Sequence, residues 1–436
     1  MPERWQVEQR KLERVQPPED LWDRVMAGPR PATGGKPRPT WPGWVAPLAA
    51  AAAVIAAVAV AGAVAGAIHG SRPAGGRPAV AAVYAVYEPG WRKPGKFGPG
   101  TIIPIRTATN TAGPPIRLRN LYGAAITPDG KTIYAAINNG IVPIRAATGT
   151  PGKLIRVAGV GGVQIVINPD GRTAYVISQL PSDKITPVNL ATNTAGQPIR
   201  VGSSAVSRIA FTPDGKTAYI IHSVLKGFGT ITPVNTATNT LGRPIRVGAG
   251  LDQMAFTPDG RTAYVAGMGT VTPISIATGT LGRPIRIHCC SLSIAITPDG
   301  KTVYVGTGAG PACAVVPIST ATNTAGRPIP LGGRPPEEMA MAPDGKTVYI
   351  ANPEGPPGAV VPISTATNTA GKPIGIGESV MIAIPSGGKT LYAAAWKASG
   401  SGGRPKIVPV SIATNTPGKP IVLPISVSIP FGVITP

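Results

Sequence analysis

One phrase returns seven times along this chain, and its spacing leaves few folds open. It is clearest as FTPDGKTAYI at 211–220 and FTPDGRTAYV at 256–265. The prolines that open it are Pro128, Pro169, Pro213, Pro258, Pro298, Pro343 and, in the degenerate copy PSGGKTLY, Pro385. Successive copies lie 41, 44, 45, 40, 45 and 42 residues apart. A period in the forties marks a repeat architecture, in which each unit buries its apolar face only against its neighbours.

A representative unit, 207–248, contains four short runs of β-branched, aromatic and small apolar residues: RIAFT, TAYII, TITPV and PIRVG. Each has the length of a strand. PDG closes the first hairpin, with a proline of fixed φ, an Asp that bonds its own backbone and a glycine free to take positive φ. ATNTLG turns the third connection in the same way. Four antiparallel strands per unit predict one propeller blade. Stacked β-solenoid rungs are the alternative, although such rungs are usually shorter and lack the tight hairpin.

The second-strand tyrosine occurs eight times, from Tyr84 to Tyr392, and the third-strand proline eight times, from Pro104 to Pro409. The first unit, AAVYAVYEP at 81–89, lacks a first strand, while the chain ends in FGVITP, a first strand with no second. The fold predicted is therefore all-β, an eight-bladed propeller over residues 80–436. Its C-terminal strand should pair with the N-terminal unit and leave no open sheet edge. Seven blades is the alternative if one unit sits outside the ring. A proline in every third strand is unexpected, because it removes a ladder donor. It predicts a bulge or a late-starting fourth strand at that position.

TPDGKTAYV followed by VTPISIATGT or VVPISTATNT and then PIRVG resembles the YVTN-type β-propeller repeat of YncE-like and surface-layer proteins. The resemblance covers residues 80–436. It implies a propeller fold and a setting among binding and cell-surface proteins, but no particular activity.

Ahead of the repeats, the run from Val45 to Ile68 holds 24 residues without a charge. As a helix it would extend about 36 Å, enough for a hydrocarbon core of about 30 Å. Trp41 and Trp44 precede it, where interfacial anchors belong. The expectation is one transmembrane helix at 45–68, with a cytoplasmic tail at 1–44, a linker at 69–79 and the propeller outside the cytoplasm. A cleaved signal peptide followed by secretion is the alternative. Within the tail, PPEDLWDRVM reads as a short amphipathic helix ahead of a Pro/Gly-rich stretch.

The chain carries a formal net charge of +22. The tail has eight Lys/Arg and six Asp/Glu, so the propeller holds nearly all of the excess. Outside a cell such a surface fits an anionic envelope polymer or a protein partner rather than nucleic acid, while compositional bias accounts for it equally well. Three cysteines, Cys289, Cys290 and Cys313, do not make a disulfide scaffold. A bridge between Cys290 and Cys313 is expected on shared placement at one face of the ring. Free thiols or a His288-containing metal site are the alternatives.

Propeller ligands enter where the central channel opens. The residue five before each first-strand proline should line that mouth: Gly123, Gln164, Arg208, Gln253, Ser293, Glu338, Val380 and Phe431. Nearby loops add Asp252, His222, His288, Glu337, Glu354 and Trp396. The candidate ligand set is thus Gln164, Arg208, Asp252, Gln253, Ser293, Glu338, His222 and Trp396. The PDG aspartates are read as turn residues. No catalytic constellation, metal site or cofactor motif stands out. The primary reading is a membrane-anchored binding or scaffold module at the cell envelope. The alternatives are a lactonase-type hydrolase or lyase and a transmembrane sensor with a cytoplasmic partner.

Overall fold

The computed structural model describes residues 82–434, apart from 88–90, 94–95, 98, 138, 158–162, 179–183, 203–205, 223–227, 309–312, 333–335, 337, 353–357, 378–379, 396–403 and 425–430. The tail, the run from Val45 to Ile68, the linker and Trp396 lie outside these residues. Within them the chain is all-β and forms an eight-bladed propeller.

Blade 4 shows the plan. Its first strand, Val206–Phe211, pairs with Thr217–His222, which pairs with Gly229–Asn235. The outer strand is split into Thr240–Leu241 and Ile245–Gly248, both paired to the third strand. First strands of blades 2, 3, 5, 7 and 8 begin at Leu121, Val163, Gln253, Glu338 and Val380. Between blades 5 and 6 the connection is itself extended. One strand, Ile285–Ile296, is the outer strand of blade 5 and the first of blade 6. In blade 1 the strand Phe431–Ile434 lies antiparallel to Ala82–Tyr87. A small hairpin, Trp91–Lys93 with Lys96–Phe97, sits between the second and third strands of blade 1; no sequence pattern had pointed to it.

The split outer strand explains the prolines. Tyr219 stands opposite Pro233, and the carbonyl of Pro233 points outward to accept the amide of Gly242 at 2.8 Å. The missing proline N–H would face the same way, into the break between the two outer pieces. All eight third-strand prolines make this bond, with Gly113, Gly152, Gly196, Gly242, Gly282, Gly326, Gly371 and Gly418 as donors. A Cβ on any of these glycines would lie 2.8–3.2 Å from the proline Cγ. Only glycine lets the outer strand pass so close to the ring.

The core consists of eight apolar clusters, one per blade junction. One of them joins Ala383, Tyr392 and Ala394 of blade 8 to Val83, Ala85, Ile103 and Ile105 of blade 1. The second-strand tyrosines are buried at these junctions. Their hydroxyls reach the third-connection turn of the next blade, where Asn Oδ1 accepts. The pairs are Tyr134–Asn193 at 2.9 Å, Tyr175–Asn239 at 2.8 Å, Tyr264–Asn323 at 2.7 Å, Tyr304–Asn368 at 2.6 Å, Tyr349–Asn415 at 2.6 Å and Tyr392–Asn110 at 3.0 Å. Each of these asparagines takes a φ of 51–56°, a left-handed conformation that Asn tolerates better than most residues. One side chain thus closes its own turn and latches the neighbouring blade.

At the same end of the blades, bonded to the third-connection turns, the PDG aspartates serve their own turn. Thr127, Thr212, Thr257 and Thr297 donate to the aspartate two residues on at 2.6 Å, and the same carboxylates accept the amides of Lys131, Lys216, Arg261 and Lys301.

Candidate functional site

A propeller's first strands expose their inner edges to the channel, with main-chain groups that no ladder satisfies. The mouth side chains supply partners. The Arg208 Nε donates to the Asp252 carbonyl at 3.1 Å. The Ser293 hydroxyl donates to the Pro336 carbonyl at 3.2 Å. Glu338 Oε2 accepts the Ile382 amide at 2.7 Å. These bonds run from blade 4 to 5, 6 to 7 and 7 to 8. The polar residues expected to await a ligand therefore also staple adjacent first strands.

Charge converges at three of them. The Arg208 guanidinium is buried and lies 3.7 Å from the Asp252 carboxylate. Glu338, three blades away, also acts on it through its charge. Burial pulls Arg208 below its ordinary value against the attraction of Asp252 and Glu338. Burial pushes Asp252 above the usual carboxylate range, and Arg208 opposes the rise. The Asp252 side chain keeps 41% of its surface open, so solvent screening limits what the pair contributes to stability.

The remaining candidates are dispersed. Gln164 is buried and Gln253 half-buried, at equivalent ladder positions in blades 3 and 5. His222 is buried at the end of the second strand of blade 4, opposite Thr230. Two mouth positions need correction. Blade 8 has one extra residue between Pro385 and Tyr392, so Ala383, not Ile382, stands opposite Tyr392. The residue matching Arg208 is therefore Met381 rather than Val380. In blade 1, Tyr84 faces Ile434, so Gly432 replaces Phe431.

Sequence reasoning missed Asn352. It ends the second strand of blade 7 as His222 ends that of blade 4, each three residues after the tyrosine. Its Oδ1 is buried with no hydrogen-bond partner among the described residues. Comparing the columns three places after each tyrosine would have found it.

Cys313 is buried just before the third strand of blade 6, and Cys290 pairs through its backbone with Met268. The side chains of His288, Cys289 and Cys290 lie outside those described. Among the described residues no group of three or more His, Cys, Asp or Glu side chains is placed to share a metal ion.

No family model matches the chain, and no curated protein does. Among solved structures, the dihydro-heme d1 dehydrogenase NirN in complex with DHE is similar over 81% of this chain and 75% of its own, with a TM-score of 0.64 and 17 in 20 positions or so differing, at 15% identity. The hydrazine synthase of Kuenenia stuttgartiensis matches over 63% of this chain and 89% of its own, at 17% identity and a TM-score of 0.47. At such identity the NirN likeness speaks for the propeller fold alone.

Proposed function

We propose that this chain is a membrane-anchored, extracytoplasmic propeller of the YVTN type that works as a binding module at the cell envelope. The C-terminal strand closes its ring, and the channel mouth holds a polar ligand. The observation that carries the reading is the convergence on Arg208 of carboxylates from two other blades, Asp252 and Glu338. A buried guanidinium fixed by neighbouring backbone is a pre-oriented donor, which lowers the ordering cost of holding an anionic or polar group. Closure is supported by the pairing of Phe431–Ile434 with Ala82–Tyr87 and by the Tyr392–Asn110 latch. The anchor rests on the uncharged run from Val45 to Ile68.

The test is a thermal-shift screen of the full-length chain against polar and anionic small molecules. Hits are then titrated against Glu338→Gln and Arg208→Lys. Glu338→Gln removes a charge but keeps an acceptor for the Ile382 amide. Arg208→Lys should lower affinity at least tenfold and Glu338→Gln should raise it for an anionic hit, and unchanged affinity in both would remove the mouth as the site.

A further inference from the structure

The arginines of the PIRVG motif do not form a uniform repeat once they are placed on the blades. Arg117, Arg156, Arg200, Arg246 and Arg286 occupy one position, immediately after the isoleucine of the outer strand. They stand opposite Thr101, Gly140, Lys184, Thr230 and Thr270 of the third strand. All five are exposed. They belong to blades 1 to 5, which are consecutive. In blades 6, 7 and 8 the same position holds Pro330, Gly375 and Val422. The row covers one continuous arc of the rim and stops.

Two features separate this arc from general basicity. First, no Asp or Glu occurs in the third strand, the outer strand or the turn between them in any blade. Among the described residues none of the five arginines is in an ion pair. Among the described residues their charge is therefore not spent on an acidic neighbour. Second, blade 3 sets Lys184 directly across the ladder from Arg200. Like charges at facing positions destabilise a sheet, so the fold carries a local cost there that an anionic partner would relieve.

The geometry points to a flexible polyanion, an anionic glycan, as the partner that lies along the outer strands of blades 1 to 5. With strands about 4.8 Å apart, the outer strands lie about 15 Å beyond the first, so neighbouring blades present their arginines roughly 15–20 Å apart. A small anion meets one of them, whereas a chain of many repeating charges meets all five. The rim is convex, and the arc from blade 1 to blade 5 turns through about 180°. A DNA duplex, with a persistence length of about 50 nm, resists such a turn over so short a path, and a flexible glycan follows it. The inference deepens the binding-module reading by naming a partner and its surface, and it makes no use of the channel mouth.

The test uses the full-length chain and long polygalacturonate, with trigalacturonate and a 24-base-pair DNA duplex as comparison probes. One variant replaces Arg117, Arg156, Arg200, Arg246 and Arg286 by Gln. A control removes the same amount of charge elsewhere through Arg327→Gln, Lys346→Gln, Lys372→Gln, Lys389→Gln and Lys419→Gln. The polymer should bind the native chain, and affinity should fall steeply with salt as counterions are released. The arc variant should lose at least tenfold with a shallower salt slope, the control less than threefold. The trimer should bind at least a hundredfold more weakly than the polymer, because it cannot span two blades. The arc variant should keep the native affinity for any small molecule that the thermal-shift screen finds at the mouth, which separates this surface from the mouth. Absent binding of the polymer at low salt overturns the inference. So does an equal loss in arc and control variants, or duplex binding as tight as polymer binding with the same sensitivity to the arc.

Discussion

Two blades lack half of the inter-blade latch, and restoring one of them tests the logic of the whole ring. Six tyrosines reach an asparagine in the next blade, but the turns facing Tyr84 and Tyr219 carry Gly149 and Gly279. Tyr84 falls back on the Ala146 carbonyl at a long 3.4 Å. The backbone of Gly279 already has the left-handed φ, 67°, that the six asparagines use at 51–56°. A Cβ there would come within 3.3 Å of Ile245 Cδ1, the mobile tip of a side chain. At Gly149 the Cβ would meet both Cγ1 and Cδ1 of Ile116, at 3.1 and 3.2 Å. Gly279 is the more forgiving site.

For Gly279→Asn, a new partly buried hydrogen bond should contribute about 0.5–1.5 kcal/mol. Lower entropy of the unfolded chain should contribute about 0.4–1 kcal/mol. Against this stands a left-handed penalty of about 1 kcal/mol, reduced for Asn. The net expectation is a stabilisation of about 0.5–1 kcal/mol. At about 2.1 cal/mol/K per residue, the roughly 350 residues of the propeller convert this into a rise in Tm of only about 1 °C. Denaturant midpoints are therefore the better measure. Gly279→Ala keeps the backbone penalty without the acceptor and should destabilise by about 1 kcal/mol. The decisive quantity is the coupling in a cycle with Tyr219→Phe, expected at 0.5 kcal/mol or more. Equal stability of the Asn and Ala variants, or a gain that survives Tyr219→Phe, would refute the latch as an energetic element.

Further outcomes follow from the same geometry. Gly242→Ala places a Cβ 2.8 Å from Pro233 Cγ and should cost about 1–3 kcal/mol in urea denaturation. Gly248→Ala, with nothing within 4 Å, should change stability by less than about 0.5 kcal/mol. Glu338→Ala leaves the Ile382 amide without its partner and should cost about 1–3 kcal/mol, most of which Glu338→Gln restores. Burial pushes Tyr175, Tyr304 and Tyr349 up to about 12. A group raised on folding contributes stability that is present below the unfolded value near 10 and lost as pH rises toward 12. Phenolate absorbance should thus lag the free-tyrosine curve and then rise together with alkaline unfolding. The Thr257 and Thr297 hydroxyls hold Asp259 and Asp299 below their ordinary value. Their contribution is present above pH 3.8 and fades below it, so Thr257→Val should make acid unfolding begin at a higher pH.

The blades were legible because their signals are local and repeated. PDG, the tyrosine and the ATNT turn each report a short-range backbone requirement, and seven or eight copies of each average out the noise. The third-strand proline was legible as an anomaly, and its explanation needed the outer strand. Only the ladder shows that the missing donor and the outward carbonyl share one direction. The latch was hidden because tyrosine and asparagine lie 59 to 66 residues apart in five of the six pairs, with blade 8 reaching back to blade 1 in the last. The mouth was half legible. Counting back from the proline located Arg208, Ser293 and Glu338, but failed in blade 8, where PSGG adds a residue that only the register with Tyr392 reveals. What those side chains touch was not readable at all, since their partners are main-chain groups of another blade.

That last point changes how polarity at a channel mouth should be weighed. Each blade leaves two strand edges unpaired, one at the rim and one facing the axis. Polar side chains there satisfy the fold before they serve any ligand, so an Arg, a Ser and a Glu in blades 4, 6 and 7 do not by themselves mark a site. What stapling does not require is charge. Ser293 holds the Pro336 carbonyl with a neutral hydroxyl, and a glutamine at 338 could accept the Ile382 amide as a glutamate does. Arg208 and Glu338 do the same kind of work while bringing opposite charges into the channel, at a desolvation cost that draws Arg208 below its ordinary value. The outer arc poses the same question. Its outer strand needs the isoleucine that packs inward, and blades 6 to 8 fold with Pro, Gly or Val beside it. Arginine at that position in blades 1 to 5 is therefore surplus to the fold. In a repeat protein, the residues to follow are those whose chemistry exceeds what their place in the repeat demands.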